Sequence, residues 1–447
     1  MKKVESDILT RKETPLFFKF AIPNILSLVL LSSAGIVDAI FIGNYEGELS
    51  LAALNIANPL FSFIWGFTMM VLIGGAVTSS KYIGEKNIEK ACNIFTKSMV
   101  VVTIITIILS LIIYIYASEI IYTLAGSDKT LSLSVLYIRT VIPFIIFSTV
   151  GYGLSMFARV DGFPFIASFA LIVGAFTNIL LDYIFIGILN WGIKGAAYAT
   201  GLSYIATFFI LVFHFLKQKG VLKLNLKAKN YNEMIKTSYN GFSEFLNEMS
   251  VGITMALFNY TMIKYAQEEG VAAFTAINYI LWVGNIINYA AADSLNPLIS
   301  TNYGAGYFNR IKSLLKTGIY FTLLNGVIII IILSLFNHDL TQMFLTDKSS
   351  HVYGMAIDFM SIVKWSFLLS GINMILSAYF TAMIHPKESA IIAFLRSFFM
   401  PVSLITILPL LINLNGIYLT LPLSELITFI VAIFLFLFTK KQLLYRR

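Results

Sequence analysis

Asn178 and Asp182 stand four residues apart in an apolar stretch, GAFTNILLDYIFIGILNWGIKGAAYAT, residues 174–200. On a helix that spacing stacks them on one face, one turn above the other. A carboxylate beside an amide, in a low-dielectric interior, is a place to hold a proton or a small cation. An aspartate near the bilayer centre costs roughly 2.5–3.5 kcal/mol on insertion scales, so it faces a bundle interior or a wet cavity and takes a partner. The plain alternative is a structural polar pair that pins two helices together. Asp38 lies toward the outer end of the first apolar run, in SSAGIVDAIFIGNY, and Thr200 lies early in the sixth. In the expected topology Asp38, Asp182 and Thr200 all fall in the outer half of the membrane, where one cluster can contain them. Pro23 interrupts the first run fifteen residues before Asp38. A proline there removes a backbone hydrogen bond and commonly kinks a membrane helix, though often it does no more than bend it. Asn55 and Asn58 begin the second run.

The second half carries acids of its own. Glu244 and Glu248, in NGFSEFLNEMS, again share one helix face, and Asp293 lies in AAADSLNPLIS. Together with Asn55 they are candidate substrate or second-lobe contacts. Their plain alternatives are solvation at the inner interface for the two glutamates and pairing with Lys or Arg for Asp293. Arg396, in AFLRSFFMP, reads as a structural ion-pair partner, and Glu425, in LPLSELITF, as structural.

The elements that must position these groups are membrane helices. Of 447 residues, 58% are hydrophobic and 12% charged, against about 25% charged in soluble domains. The mean hydropathy is +0.83. The expected fold is all-α and integral to the membrane: twelve transmembrane helices in two pseudo-symmetric six-helix lobes around a central cavity. The spans are expected near 15–42, 51–79, 94–117, 131–157, 163–189, 193–216, 238–263, 271–300, 314–336, 354–384, 389–413 and 415–438. The first run is long enough to span, and residues 1–15 are too charged for a cleavable signal core. The single cysteine, Cys92, excludes an intrachain disulfide.

An even number of spans puts both termini on one side. With that side inside, 24 of the 31 Lys and Arg residues fall in inner segments and 4 (Lys129, Lys194, Lys264 and Lys348) in outer ones. That bias makes the termini cytoplasmic. It also assigns the net charge of +8 to anchors at the anionic inner leaflet rather than to nucleic acid. The longest polar connection, KQKGVLKLNLKAKNYNEMIKT at 217–237, reads as a cytoplasmic linker between an N-terminal lobe, 1–216, and a C-terminal lobe, 238–447. The halves resemble each other: Asn87 and Asn309, Ser155 and Ser377, Pro164 and Pro386 are separated by one common offset. Six spans per half relate the lobes by an axis along the membrane normal, a geometry that suits alternating access.

No GxxxxGK[ST], HExxH or GxSxG motif is present, and the four histidines (214, 338, 351, 385) have no metal-ligand spacing. Gly151-Tyr-Gly153 lacks a third glycine and falls inside a span. The chain therefore reads as no enzyme, with no cofactor and no structural metal. Work against a gradient must draw on an ion gradient, where one charge moved through 100 mV is worth about 2.3 kcal/mol. The 38 Phe, 23 Tyr and 15 Met are mostly packing and lipid contact, and some suit a cavity for varied apolar cations.

PNILSLVLLSSAGIVDAIFIG, the loop Arg159-Val-Asp-Gly-Phe-Pro164, GAFTNILLDYIFI, GIKGAAYATGLS and PLISTNYGAG, in this order and spacing, resemble the multidrug and toxic compound extrusion (MATE) family, in its bacterial DinF-type and MepA-type branch. The likeness runs from Pro23 to about Glu425. It implies a plasma-membrane, multi-pass antiporter that couples H⁺ or Na⁺ entry to export of drugs, organic cations or metabolites, working as a monomer among lipids. It implies a cation-coupling site at Asp38, Asn178, Asp182 and Thr200, with Na⁺ at Asp38, Asn178 and Asp182 if sodium is the ion, and a bending helix at Pro23. The family's other main branch places a carboxylate in the tenth helix. Here that span offers Asn373 and Lys364, so no cation site carries over to the second lobe. The rival is a flippase for lipid-linked oligosaccharides or lipid precursors from the wider superfamily. Such proteins handle anionic pyrophosphates, whereas the ionisable groups inside these spans are mainly acids. A membrane scaffold is disfavoured by the carboxylates in both halves.

Overall fold

A backbone inside hydrocarbon must satisfy its own N–H and C=O groups, which leaves helices to a chain this apolar. The computed structural model describes residues 4–445 apart from 126–127, 226, 229 and 344–350, and every regular element among the described residues is helical. Lys2, Lys3, Lys229, Lys348, Arg446 and Arg447, used above for orientation, lie outside the described residues.

Among the described residues, eleven helices are long and apolar enough to cross a membrane. In the first half they are Glu13–Glu46, Leu49–Gly84, Ile88–Ile115, Thr130–Val160, Pro164–Ile188 and Gly192–Leu216. In the second they are Glu269–Gly304, Phe308–Leu335, His351–Ala382, Pro386–Ile412 and Leu414–Thr439. The expected seventh span is the first limb of a longer helical element, Phe242–Gly304, whose backbone leaves helical geometry at Gln267 (φ 54°, ψ −153°). Glu244, Asn247 and Glu248 crowd the start of that limb and lower its apolar character. The third span begins at Ile88, earlier than expected, because Asn87 caps it: its Oδ1 accepts the Lys90 N–H at 3.2 Å and satisfies a donor the helix end leaves open.

The third span shows how such a helix divides its faces. Phe95, Met99, Val102 and Thr106 are buried, while Ile104, Ile108, Leu111 and Ile115 are exposed. Both sets recur at helical spacing, so one stripe packs inward and the other is left for lipid. Aromatics fill the second-half core in the same way. Phe258, Phe274, Phe359 and Tyr418 form a continuous stack with centroids 5.1, 6.0 and 5.0 Å apart, joining four spans.

The repeat is geometric as well as sequential. Helices Ile145–Val160 and Phe367–Ala382 keep the offset of the paired residues at both ends, and each follows a three-residue 3₁₀ turn, Ile142–Phe144 and Lys364–Ser366, at the same offset. The chain divides into two compact units: Met1–Gly241 with Ser300–Tyr307, and Phe242–Ile299 with Phe308–Arg447. In the first unit, Asn302 Nδ2 donates to the Ile8 carbonyl at 3.4 Å, tying the 300–307 turn to the short helix Val4–Thr10.

Candidate functional site

On the fifth span, Gly174, Asn178 and Asp182 form one stripe at four-residue spacing. On the sixth, Thr200, Ser203 and Thr207 form the facing stripe. A Cβ at Gly174 would lie 2.2 Å from Thr207 Oγ1, so glycine there lets the two helices close. The first span packs against both and brings Asp38 to the same level. Asn178 Nδ2 donates to Asp38 Oδ1 at 3.1 Å, and Thr200 Oγ1 donates to Asp38 Oδ2 at 3.3 Å. The Asp182 carboxylate is fully buried and lies within hydrogen-bonding reach of Asp38. All four residues anticipated for one cluster thus meet at Asp38, contributed by three helices.

The two carboxylates are treated unequally. Asp38 receives an amide N–H and a hydroxyl, whereas neither oxygen of Asp182 receives a donor from the described residues. A buried carboxylate without a donor, beside a second carboxylate, needs positive charge between the two. A proton shared by the pair supplies it, as does a monovalent cation. Immediately after Asp182 the helix widens into a π-turn, Tyr183–Ile188, closed by Leu189 N–H to Ile184 O at 2.9 Å. Such turns are frequent at functional sites.

Two tyrosines join the cluster that sequence reasoning passed over. Tyr137, 5% exposed, lies beside Thr200 and faces both carboxylates, and Tyr204 lies between Asp38 and Ser148. Tyr204 carried a signal, since it sits one helical turn after Thr200. Tyr137 carried none beyond its place in a span.

The remaining candidates lie apart from this cluster. Pro23 is about 22 Å along the helix from Asp38 by helical rise, and its neighbour Asn24, fully buried, accepts a hydrogen bond from Arg159 Nη1. Asn55 is exposed and accepts from Asn58 Nδ2 at 3.4 Å on its own helix. In the second unit, Glu244 accepts from Asn247 Nδ2 at 3.4 Å and feels the charges of Glu248, Asp293 and Arg396. Arg396 sits in a second π-turn, Leu395–Phe399, with its Nε 2.9 Å from Glu425 Oε1. Asn373 Nδ2 donates to Glu425 Oε2 at 2.7 Å and to the Glu425 carbonyl at 2.9 Å. The carboxylate at this point of the tenth span comes from the twelfth and is paired with an arginine.

Comparison with known proteins bears on the whole chain. The MatE family model matches twice, over residues 23–184 and 245–406. Both ends of the second match are displaced from the first by the offset seen in the helices. A probable multidrug resistance protein, YoeA of Bacillus subtilis, is 26% identical over 367 residues, covering 80% of this chain and 79% of its own. The multidrug export protein MepA of Staphylococcus aureus is 23% identical over 412 residues, covering 91% of this chain and 89% of its own. A multidrug resistance MATE family transporter of the MOP superfamily, solved in an outward-facing conformation, superimposes with a TM-score of 0.91 at 21% identity, covering 99% of this chain and 98% of that one. A double match across two helical repeats leaves one assignment: the chain belongs to the MatE family of multi-pass membrane transporters and is not an enzyme.

Proposed function

We propose that this chain is a cation-coupled antiporter that exports organic cations and drugs by alternating access between two six-span lobes, 1–216 and 238–447, joined by the linker 217–237. Both termini are cytoplasmic in this reading, after the charge bias of the loops. The observation that carries the proposal is the Asp38–Asp182 pair, a half-buried and a fully buried carboxylate with one amide and one hydroxyl donor between them, both spent on Asp38. The coupling ion is H⁺ or Na⁺, and the Asn178 carbonyl and Thr200 hydroxyl oxygens would complete a sodium shell. Ion entry from outside neutralises the pair, the first span bends at Pro23, and cargo leaves outward. Cargo arriving from inside favours ion release. A single chain suffices for this cycle, and no cofactor takes part.

Relatives named for multidrug export or resistance support small amphipathic cargo, and acids inside the spans favour cations. Glu244, Glu248 and Asp293 are the second lobe's candidate cargo contacts. Arg396 is neutralised by Glu425, which weakens the reading as a flippase for anionic lipid-linked sugars.

The test uses purified protein in liposomes loaded with a fluorescent cationic dye, under a pH gradient and, separately, a Na⁺ gradient. One gradient should drive dye movement in the wild type and fail in Asp38→Asn, which names the ion. Wild-type dye movement in Asp38→Asn would falsify the coupling role.

A further inference from the structure

The turn after the fourth span, Asp161-Gly162-Phe163, has a twin at the repeat offset in Met383-Ile384-His385, with the same succession of backbone hydrogen bonds. The twin forms with Met383 where the first has Asp161, so the turn itself does not require a carboxylate. The first half differs in one respect: a non-helical stretch comes after its sixth span and leads to the second set of spans.

That stretch is where Asp161 points. The residue is 1% exposed, and its Oδ1 accepts the Val221 N–H at 2.7 Å and the Leu222 N–H at 3.1 Å. Gly220 lies so close that a Cβ would stand 1.4 Å from Asp161 Oδ2. A row on the third span holds the rest of the stretch. Cys92 Sγ donates to Val221 O at 3.4 Å and accepts the Lys223 N–H at 3.3 Å. Asn225 N–H donates to Thr96 Oγ1 at 2.8 Å, and its side-chain amide to Asn93 Oδ1 at 2.7 Å. Lys97, 2% exposed, donates to Asn230 O at 2.9 Å and pairs with Glu233. Residues 222–225 have no helix or strand to satisfy their backbone groups, so side chains of the first unit do it instead.

We propose that Asp161 is a proton-binding latch on the basic side of the protein: with a proton bound it holds residues 220–223 down over Cys92, and once ionised it lets that stretch lift away.

Both donated bonds end on Oδ1, which leaves Oδ2 to carry a proton while the two N–H groups stay bound. Burial pushes the Asp161 carboxyl up to about 7, against the opposing pull of the Leu222 and Val221 N–H groups. A carboxyl that holds its proton more tightly in place than in water must favour the docked state when protonated. Acidification toward about 4 therefore closes the latch, and the hold weakens as pH rises until it is lost at about 7. Arg159 of the same turn is bonded to Asn24, Cys92 faces from the third span, Lys223 faces Cys92 from the linker, and Lys219 lies beside His214 of the sixth span. The latch does not depend on which ion drives transport.

Cys92, the only cysteine in the chain, lies beneath the latched residues and reports on them. The experiment measures the rate of its modification by a membrane-impermeant maleimide in the full-length protein in inside-out vesicles, over a pH series spanning neutrality. Wild type is compared at each pH with Asp161→Asn and Asp161→Ala. The asparagine keeps the Oδ1 acceptor and cannot ionise, and because it shares the same thiol, thiolate formation cancels in the ratio. Asp161→Asn should stay slow throughout. Wild type should match it only near pH 4, pull ahead as pH rises toward about 7, and hold a constant advantage of tenfold or more above that. Asp161→Ala should be fast at every pH. Equal rates for wild type and Asp161→Asn across the series overturn the latch, as does an alanine variant as slow as the asparagine. If the alanine variant fails to fold, the wild-type and asparagine ratio alone decides.

Discussion

Arg396 Nε lies 2.9 Å from Glu425 Oε1, within a pair whose side chains are 19% and 10% exposed. The ion pair is intramembrane, and Asn373 supports the same carboxylate. Removing one partner of such a pair leaves an uncompensated charge, whereas removing both does not. Glu425→Gln should therefore destabilise the protein by about 3 kcal/mol, the low end of the range because the pair is not fully enclosed. Arg396→Met with Glu425→Met should return to within about 1 kcal/mol of wild type. Apparent unfolding midpoints in detergent check this, and equal losses in single and double variants would remove the ion pair as the cause.

Asp182 presents the opposite case. Its oxygens have no donor among the described residues and face a second carboxylate. Asp182→Asn should leave thermal stability unchanged or raise it by about 1 kcal/mol, while ion-driven dye export falls a hundredfold or more. An asparagine variant that unfolds at markedly lower temperature would place Asp182 in the packing rather than in the chemistry.

Tyr137 touches the cluster through Thr200. Tyr137→Phe keeps the ring and loses one hydroxyl, worth about 1 kcal/mol for a neutral hydrogen bond. Export should slow by roughly fivefold, and Thr200→Ser, which keeps its hydroxyl, should retain most activity while Thr200→Val does not. Initial dye-export rates at fixed protein density distinguish these outcomes. An unchanged rate in Tyr137→Phe would mean that the tyrosine only fills space.

The raised carboxyl of Asp161 makes stability depend on pH in a fixed direction. Its folded value of about 7 exceeds the ordinary 3.8. The stabilising contribution is thus complete below about 4 and is lost as pH rises through about 7. Asp161→Asn, which cannot ionise, should gain on wild type by on the order of 3–4 kcal/mol at alkaline pH and by nothing at low pH. Unfolding midpoints of the two proteins from acid to mildly alkaline buffer test the sign. A wild type that gains on the variant as pH rises would reverse it.

Gly220→Ala should act like ionisation of Asp161. The added methyl has no room beside Oδ2, so the stretch over Cys92 must lift. Maleimide modification of Cys92 should accelerate at all pH values, and protection equal to wild type would show that the linker has slack there.

Local pattern carried most of the legible information in the chain. Asn178 and Asp182 announce themselves by four-residue spacing, and Asn87 and Asn309, Ser155 and Ser377, Pro164 and Pro386 mark the repeat that the helices then repeat in space. The cluster with Asp38 needed contacts across 140 and 162 residues, which spacing cannot specify; resemblance to a family supplied them. Arg159 on Asn24, Asp161 on the 221–222 amides and Tyr137 on Thr200 are likewise distant in sequence. Each depends on how segments distant in the chain pack together, which spacing along a single helix does not record. The π-turn after Asp182 left no trace either, because its residues Tyr183–Ile188 are as apolar as any other span.

That π-turn behaves like a dislocation in a crystal. It stores one residue more than the helix on either side needs, and moving it costs only the exchange of one set of carbonyl partners for the next. Each residue of an α-helix turns the chain by about 100°. If the wide turn glides from the C-terminal side of Asp182 to its N-terminal side, Asp182 swings by about that angle while both ends of the fifth span stay where they are. Its carboxylate then leaves Asp38 without any helix being translated, so the pair can be made and broken inside a bundle that stays packed.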